Sequence, residues 1–310
     1  MNRTDRIMVT AQCTIILGNG FDLDLGLKTK FSDFAKSDYW QKPDKKDWLK
    51  FFLFPLSIFL NKRKDNEYWF DLEGALRKYA LRYGTKYNAE SSLKYYERIG
   101  KSICEYIKQE QKNAKIRKES MAYDFIKAVQ TCKSFHIYSF NYTDFDSIPN
   151  MLKLIDYDNV FTHIHGSVRT NDIILGIDEA ANVKEDMYKE MYKSWSDNLN
   201  LIDAQALEKP SEIIFYGFSF SDIDYPYFKT FFEKVANGEL RCKNITIFTK
   251  DKNSSSLIRN KLDKENVKIS ALKDSCKNFN IITTDNINSA EYKEVKKNLS
   301  KAMPPINTML

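Results

Sequence analysis

The chain has five cysteines, at Cys13, Cys104, Cys132, Cys242 and Cys276, and no two of them form a CxxC pair. An odd, scattered set builds neither a disulfide framework nor a cysteine cage for zinc, and it points to a reducing compartment. Long apolar runs are also missing. The most apolar segment, WLKFFLFPLSIFL from Trp48 to Leu60, is interrupted by Pro55 and is too short to cross a bilayer. Met1 to Ile7 is polar and is not followed by the apolar core of a secretory leader. There is no internal repeat and no low-complexity tract, and the lysines behind the net charge of +6 are scattered rather than blocked. No basic stripe with interleaved aromatics stands out, and no carboxylate cluster has metal-ligand spacing, which ranks a nuclease or nucleic-acid binder last. The expectation is a cytoplasmic protein with no metal and no membrane contact.

What is present is enough apolar material for a sizeable core: 43% of 310 residues are hydrophobic and 29% are charged. Short β-rich runs occur at Thr14 to Leu17, Phe135 to Phe140, Val160 to His165, Asp172 to Ile177, Glu212 to Tyr216, Ile245 to Thr249 and Phe279 to Thr283. Most are apolar on both faces, as strands buried between two helical layers are. Helical patterns alternate with the later runs, at Asn182 to Leu207 and Tyr225 to Ala236. That alternation predicts an α/β fold with a Rossmann-like, doubly wound parallel sheet. The region 37–130 carries almost no strand signal. There the spacing of Trp69, Leu72, Leu76 and Tyr79, and then of Leu93, Tyr96, Ile99, Ile103 and Tyr106, is helical. It reads as an all-helical insertion between the first and second strands of one domain spanning 1–310. Its apolar stripes suit a lid or assembly surface, and equally suit plain core.

Four motifs follow apolar runs. In TIILGNGFDLD, a strand stops at Gly18-Asn19-Gly20 and a helix begins, bringing backbone N–H groups and the positive end of a helix dipole to one point, which suits a pyrophosphate. The usual third glycine is replaced by Leu23, and a tight turn with Asp22 capping the helix explains the stretch about as well. In YSFNYTDFD, Asn141 ends a strand with an uncharged amide that can hold water or a carboxamide; an Asx turn or cap is the plainer reading. In FTHIHGSV, His163 and His165 share one face of a strand, and Gly166 makes His165 the better general base; no further ligand completes a metal set. In IIFYGFSFSDIDYPYF, Gly217 is followed by Ser219, Ser221, Asp222 and Asp224, hydroxyls and acids suited to ribose and phosphate oxygens, or to a helix cap. In a parallel sheet all four lie at one edge, where open α/β sheets bind ligands.

With YWFDLE between the first two, these motifs in this order resemble the bacteriophage abortive-infection AbiH family over nearly the whole chain. That family in turn resembles the sirtuin-like fold of NAD-consuming defence enzymes. The resemblance implies that Gly18 and Gly20, with Asn19, Phe21 and Asp22, form the phosphate turn. It makes Asn141 the catalytic Asn and His165 the catalytic His, and gives Gly217 and Ser219 to ribose and phosphate. Thr143, Gly166, Asp222 and Asp224, in the same motifs, are further expected contacts to the nucleotide. Asn19 stands where sirtuins have a small residue, and Thr143 stands where an Asp is common. The paired zinc-holding cysteines of protein deacylases are missing, so the resemblance favours an NAD glycohydrolase with NAD as substrate. The implied partners are NAD or a related nucleotide, a phage-derived trigger and a second copy of the chain. A sensor that binds a nucleotide or phage component without turnover, a hydrolase of another nucleotide, and an ADP-ribosyl transferase stay open beside it.

Overall fold

Runs of β-branched and aromatic residues form six strands: β1 (Cys13–Leu17), β2 (Phe135–Ser139), β3 (Phe161–His163), β4 (Glu212–Tyr216), β5 (Asn244–Thr249) and β6 (Asn278–Thr283). They belong to a computed structural model that describes residues 12–40, 72–83, 86–154, 160–176, 202–241 and 243–301. Every pairing is parallel, and the strand order is β3-β2-β1-β4-β5-β6. The chain builds outward from β1 on one side, then returns to β1 and builds outward on the other. Its connections diverge between β1 and β4, which leaves a crevice beyond their carboxyl ends. Leu17 is in register with Ser139 and with Tyr216, so the three central strands end level.

The side chains of β1 sort by parity. Cys13, Ile15 and Leu17 pack on one face with α1 (Asn19–Leu25), α5 (Met121–Val129) and α10 (Ala290–Lys301). Ile16 packs on the other face with α7 (Lys229–Ala236), α8 (Lys252–Lys264) and α9 (Ile269–Ser275). Burial of β1 and β4 on both faces explains their largely apolar sequences. Each fully buried side chain of this kind contributes roughly 1.5–3 kcal/mol. Short α6 (Ala204–Glu208) leads into β4, and its Ala206 carbonyl accepts from the Thr14 hydroxyl at 2.6 Å.

A separate apolar cluster joins α2 (Phe31–Lys36) to α3 (Leu72–Tyr83) and α4 (Lys86–Lys112). Leu72, Leu76, Tyr79, Leu93, Ile99, Ile103 and Tyr106 are buried in it at the helical spacing expected, so these stripes are core. Residues 41–71 of region 37–130, Trp69 among them, lie outside the described residues, as does most of the pattern Asn182 to Leu207. Val168 and Leu175, from the loop after β3, close the cluster from the sheet side.

One expected strand does not form. Residues 172–176 are irregular, and residue 177 is outside the description. They fold back on the loop that leaves β3: Ile174 N donates to the His165 carbonyl at 2.8 Å, and the Asp172 carboxylate accepts from Ser167 N at 2.9 Å. Leu175 is buried and Ile173 half-buried against helices, which a sequence pattern does not distinguish from burial in a sheet. The helix expected from Tyr225 also begins later, at Lys229, after a 3-10 turn at Tyr225–Tyr227 that holds Pro226. Among the described residues, no helix is long and apolar enough to cross a membrane.

Candidate functional site

Two glycine turns interlock at the crevice. Gly18 N donates to the Tyr216 carbonyl and Gly20 N to the Gly217 carbonyl, each at 2.9 Å. A Cβ on Gly20 would stand 2.6 Å from Gly217 Cα, and one on Gly217, where φ is +63°, would stand 2.3 Å from Phe21 N. Glycine is therefore needed here for backbone to meet backbone across the β1 and β4 exits. The N–H of Phe21 returns to the Gly18 carbonyl, so the N–H groups of Gly18, Gly20 and Phe21 are all engaged within the protein. The Phe21 ring is buried edge-on against Tyr216, at 5.3 Å between centroids. Asn19 is exposed at the mouth and bonds to Thr29.

Asp22 does not cap α1, whose cap residue is Gly18 with no side-chain bond. It points inward at 2% exposure. Its Oδ1 accepts from Asn141 Nδ2 at 2.9 Å and its Oδ2 from Thr143 Oγ1 at 2.9 Å. Asn141 Nδ2 also donates to the Gly18 carbonyl at 3.1 Å. Burial pushes the Asp22 carboxyl up to about 7, and the two hydrogen bonds pull against that. Asn141 itself is buried, and its Oδ1 has no hydrogen-bond partner among the described residues. A buried acceptor left unmet costs about 1–3 kcal/mol, so a donor arriving from a ligand is favoured at this atom. The next carboxylate, Asp144, also leaves Oδ1 unmet among the described residues; its backbone is clamped by Gln111 of α4, through Asp144 N to Oε1 at 2.9 Å and Nε2 to the Asp144 carbonyl at 3.1 Å.

His163 and His165 have different partners. His163 Nδ1 lies 3.2 Å from the Asn141 carbonyl, which only accepts, and burial lowers the pKa of this ring. His165 is 3% exposed, and its Nε2 lies 2.9 Å from Asp224 Oδ1. Asp224 Oδ2 in turn accepts from Ser221 Oγ at 3.0 Å. When Nε2 donates to the carboxylate, the neutral ring keeps its lone pair on Nδ1, and Asp224 steadies the imidazolium that forms when Nδ1 takes a proton. Phe140, one residue before Asn141, presents its ring edge to His165 at 5.1 Å and meets Phe218, next to Gly217, at 4.8 Å. Gly166 has φ +71°, and a Cβ there would stand 2.1 Å from the Asp172 carbonyl, so the turn behind His165 also depends on glycine.

The other expected contacts sit apart from this network. Ser219 is exposed on the loop after Gly217, followed by Phe220, buried at φ +52°. The Asp222 side chain is 91% exposed and pairs with Lys261 at 2.7 Å, which lowers its pKa. The bond between Asp22 and Asn141, across 119 residues, and the Gln111 clamp have no local signature in the sequence. No group of three or more His, Cys, Asp or Glu able to hold a metal ion occurs among the described residues. A family model described as bacteriophage abortive infection AbiH matches residues 14–248, and no curated protein and no solved structure matches the chain.

Proposed function

The chain belongs to the bacteriophage abortive infection AbiH family, and on that premise we propose that it is an anti-phage effector that hydrolyses NAD to nicotinamide and ADP-ribose. The observation that carries this reading is the unpartnered, buried Oδ1 of Asn141, held by Asp22 at the point where β1 and β4 diverge. The strand order supports it, since open sheets of order 3-2-1-4-5-6 take dinucleotides in that crevice. The sirtuin-like detail of the fold belongs to the same proposal.

In the reaction, the oxygen of water bonds to C1′ of the nicotinamide ribose as the C1′–N bond breaks. The bonding pair goes to the pyridinium nitrogen, which leaves as neutral nicotinamide, and the proton of the attacking water goes to His165 Nδ1. The transition state resembles the oxocarbenium ion of glycoside cleavage, so orientation does most of the work. Asn141 Oδ1 accepts from the water, a ribose hydroxyl or the carboxamide, while Asp224 holds the His165 ring and the charge it acquires. The activity is silent until a phage-derived trigger releases it on infection.

Protein purified from phage-challenged cells and incubated with NAD tests this directly, with nicotinamide measured by chromatography. The expected result is release that falls by roughly 10²- to 10⁴-fold in His165→Ala, the usual worth of a general base. Thermal stabilisation by NAD with no nicotinamide released would instead select the sensor, which uses the same unmet acceptor without turnover. Neither release nor stabilisation would overturn both.

A further inference from the structure

We propose that Asp22, together with Thr143, is the positioning residue that makes Asn141 a pure hydrogen-bond acceptor toward the ligand; the claim rests on reading this crevice as the nucleotide site. An asparagine amide is ambiguous, because rotating it by half a turn exchanges its acceptor for its donors. Here the ambiguity is removed. One amide hydrogen of Asn141 goes to the Gly18 carbonyl and the other to Asp22 Oδ1, at 3.1 and 2.9 Å. The Gly18 carbonyl can only accept, so a flipped amide would set oxygen against oxygen. Asp22 is itself fixed from the other side by the Thr143 hydroxyl at 2.9 Å. With both amide hydrogens engaged, only Oδ1 is left to meet a ligand, and Oδ1 has no partner among the described residues.

Two consequences follow for the ligand. The group that docks on Asn141 carries a proton: a ribose hydroxyl, a carboxamide NH₂ or the attacking water. A phosphate oxygen or a carbonyl is excluded from that position by repulsion between acceptors. Asp22, at 2% exposure, acts through Asn141 rather than on the reacting atoms.

The test uses the full chain in two arms. In the first, asparagine-selective ¹⁵N labelling follows the side-chain NH₂ of Asn141 without ligand, assigned by its loss in Asn141→Ala. Slow solvent exchange of both hydrogens is expected in the wild type, faster exchange in Asp22→Leu, and restored protection in Asp22→Asn, which keeps an acceptor in place. Equally fast exchange in the wild type and Asp22→Leu would overturn the proposal. Thr143→Val, which leaves Asp22 itself in place, is expected to give intermediate protection if Asp22→Leu fails to fold. In the second arm, nicotinamide release is measured on the same variants purified from phage-challenged cells. Asp22→Leu is expected to lose about 10²-fold in kcat, the scale of an approximately 1 Å misplacement, with KM within a few-fold. Recovery of most of that loss is expected in Asp22→Asn. An unchanged kcat in Asp22→Leu would overturn the proposal. Wild-type protein that protects the Asn141 amide yet releases no nicotinamide would sink the NAD reading and leave the positioning role standing.

Discussion

Gly217 and Asp22 show how single residues make the site. At Gly217 a side chain would have to sit 2.3 Å from Phe21 N in a left-handed backbone conformation, so neither rotamer changes nor small shifts relieve it. Gly217→Ala is expected to destabilise the fold by at least about 2 kcal/mol, measured by urea denaturation. A loss under about 0.5 kcal/mol would show that the two turns do not interlock. The glycines of both turns are conspicuous in the sequence, and so is Asn141, because each sits where an apolar run stops. Their partners are not. That Asp22 turns inward to Asn141 rather than capping α1 depends on a contact between residues 119 apart. For the same reason local spacing left His163 and His165 open, while the Asp224 carboxylate that separates them lies 59 residues from His165.

Elements are tied together by a few buried polar links. Asp24 on α1 accepts from Ala122 N at the start of α5 at 2.9 Å and from the Tyr216 hydroxyl at the end of β4 at 2.7 Å. Asp24→Ala would leave both donors unmet and is expected to cost about 2–4 kcal/mol in urea denaturation. No measurable loss would mean that solvent replaces both bonds. At the opposite edge, Glu212, Asn244 and Asn278 are register partners on β4, β5 and β6 and bond in a row. Burial raises the Glu212 carboxyl from 4.5 to about 7. A raised folded-state value means that its stability contribution is fully present below about pH 4.5 and is lost as pH rises through 7. Glu212→Gln should therefore be more favourable, relative to wild type, at pH 8 than at pH 5. The double difference isolates Glu212 from His136 and His163, whose lowered values act with the opposite sign. A pH-independent difference would refute the shift. Strands were legible wherever both faces are buried in the sheet; the run at 172–177 misled because helices, not strands, cover Ile173 and Leu175.

At the scale of the whole molecule, the all-parallel order β3-β2-β1-β4-β5-β6 gathers motifs from across the chain at one carboxyl edge. Alternating strand and helix signals predicted the α/β class, whereas strand order depends on crossovers that periodicity does not encode. Membership of the AbiH family points to abortive infection, and the crevice at the switch point supplies the proposed chemistry. The most direct measurement follows cellular NAD and nicotinamide in bacteria expressing the wild type or Asn141→Ala, with and without phage challenge. NAD should fall and nicotinamide rise on challenge in the wild type alone. A wild type that blocks phage while NAD holds level would contradict the account.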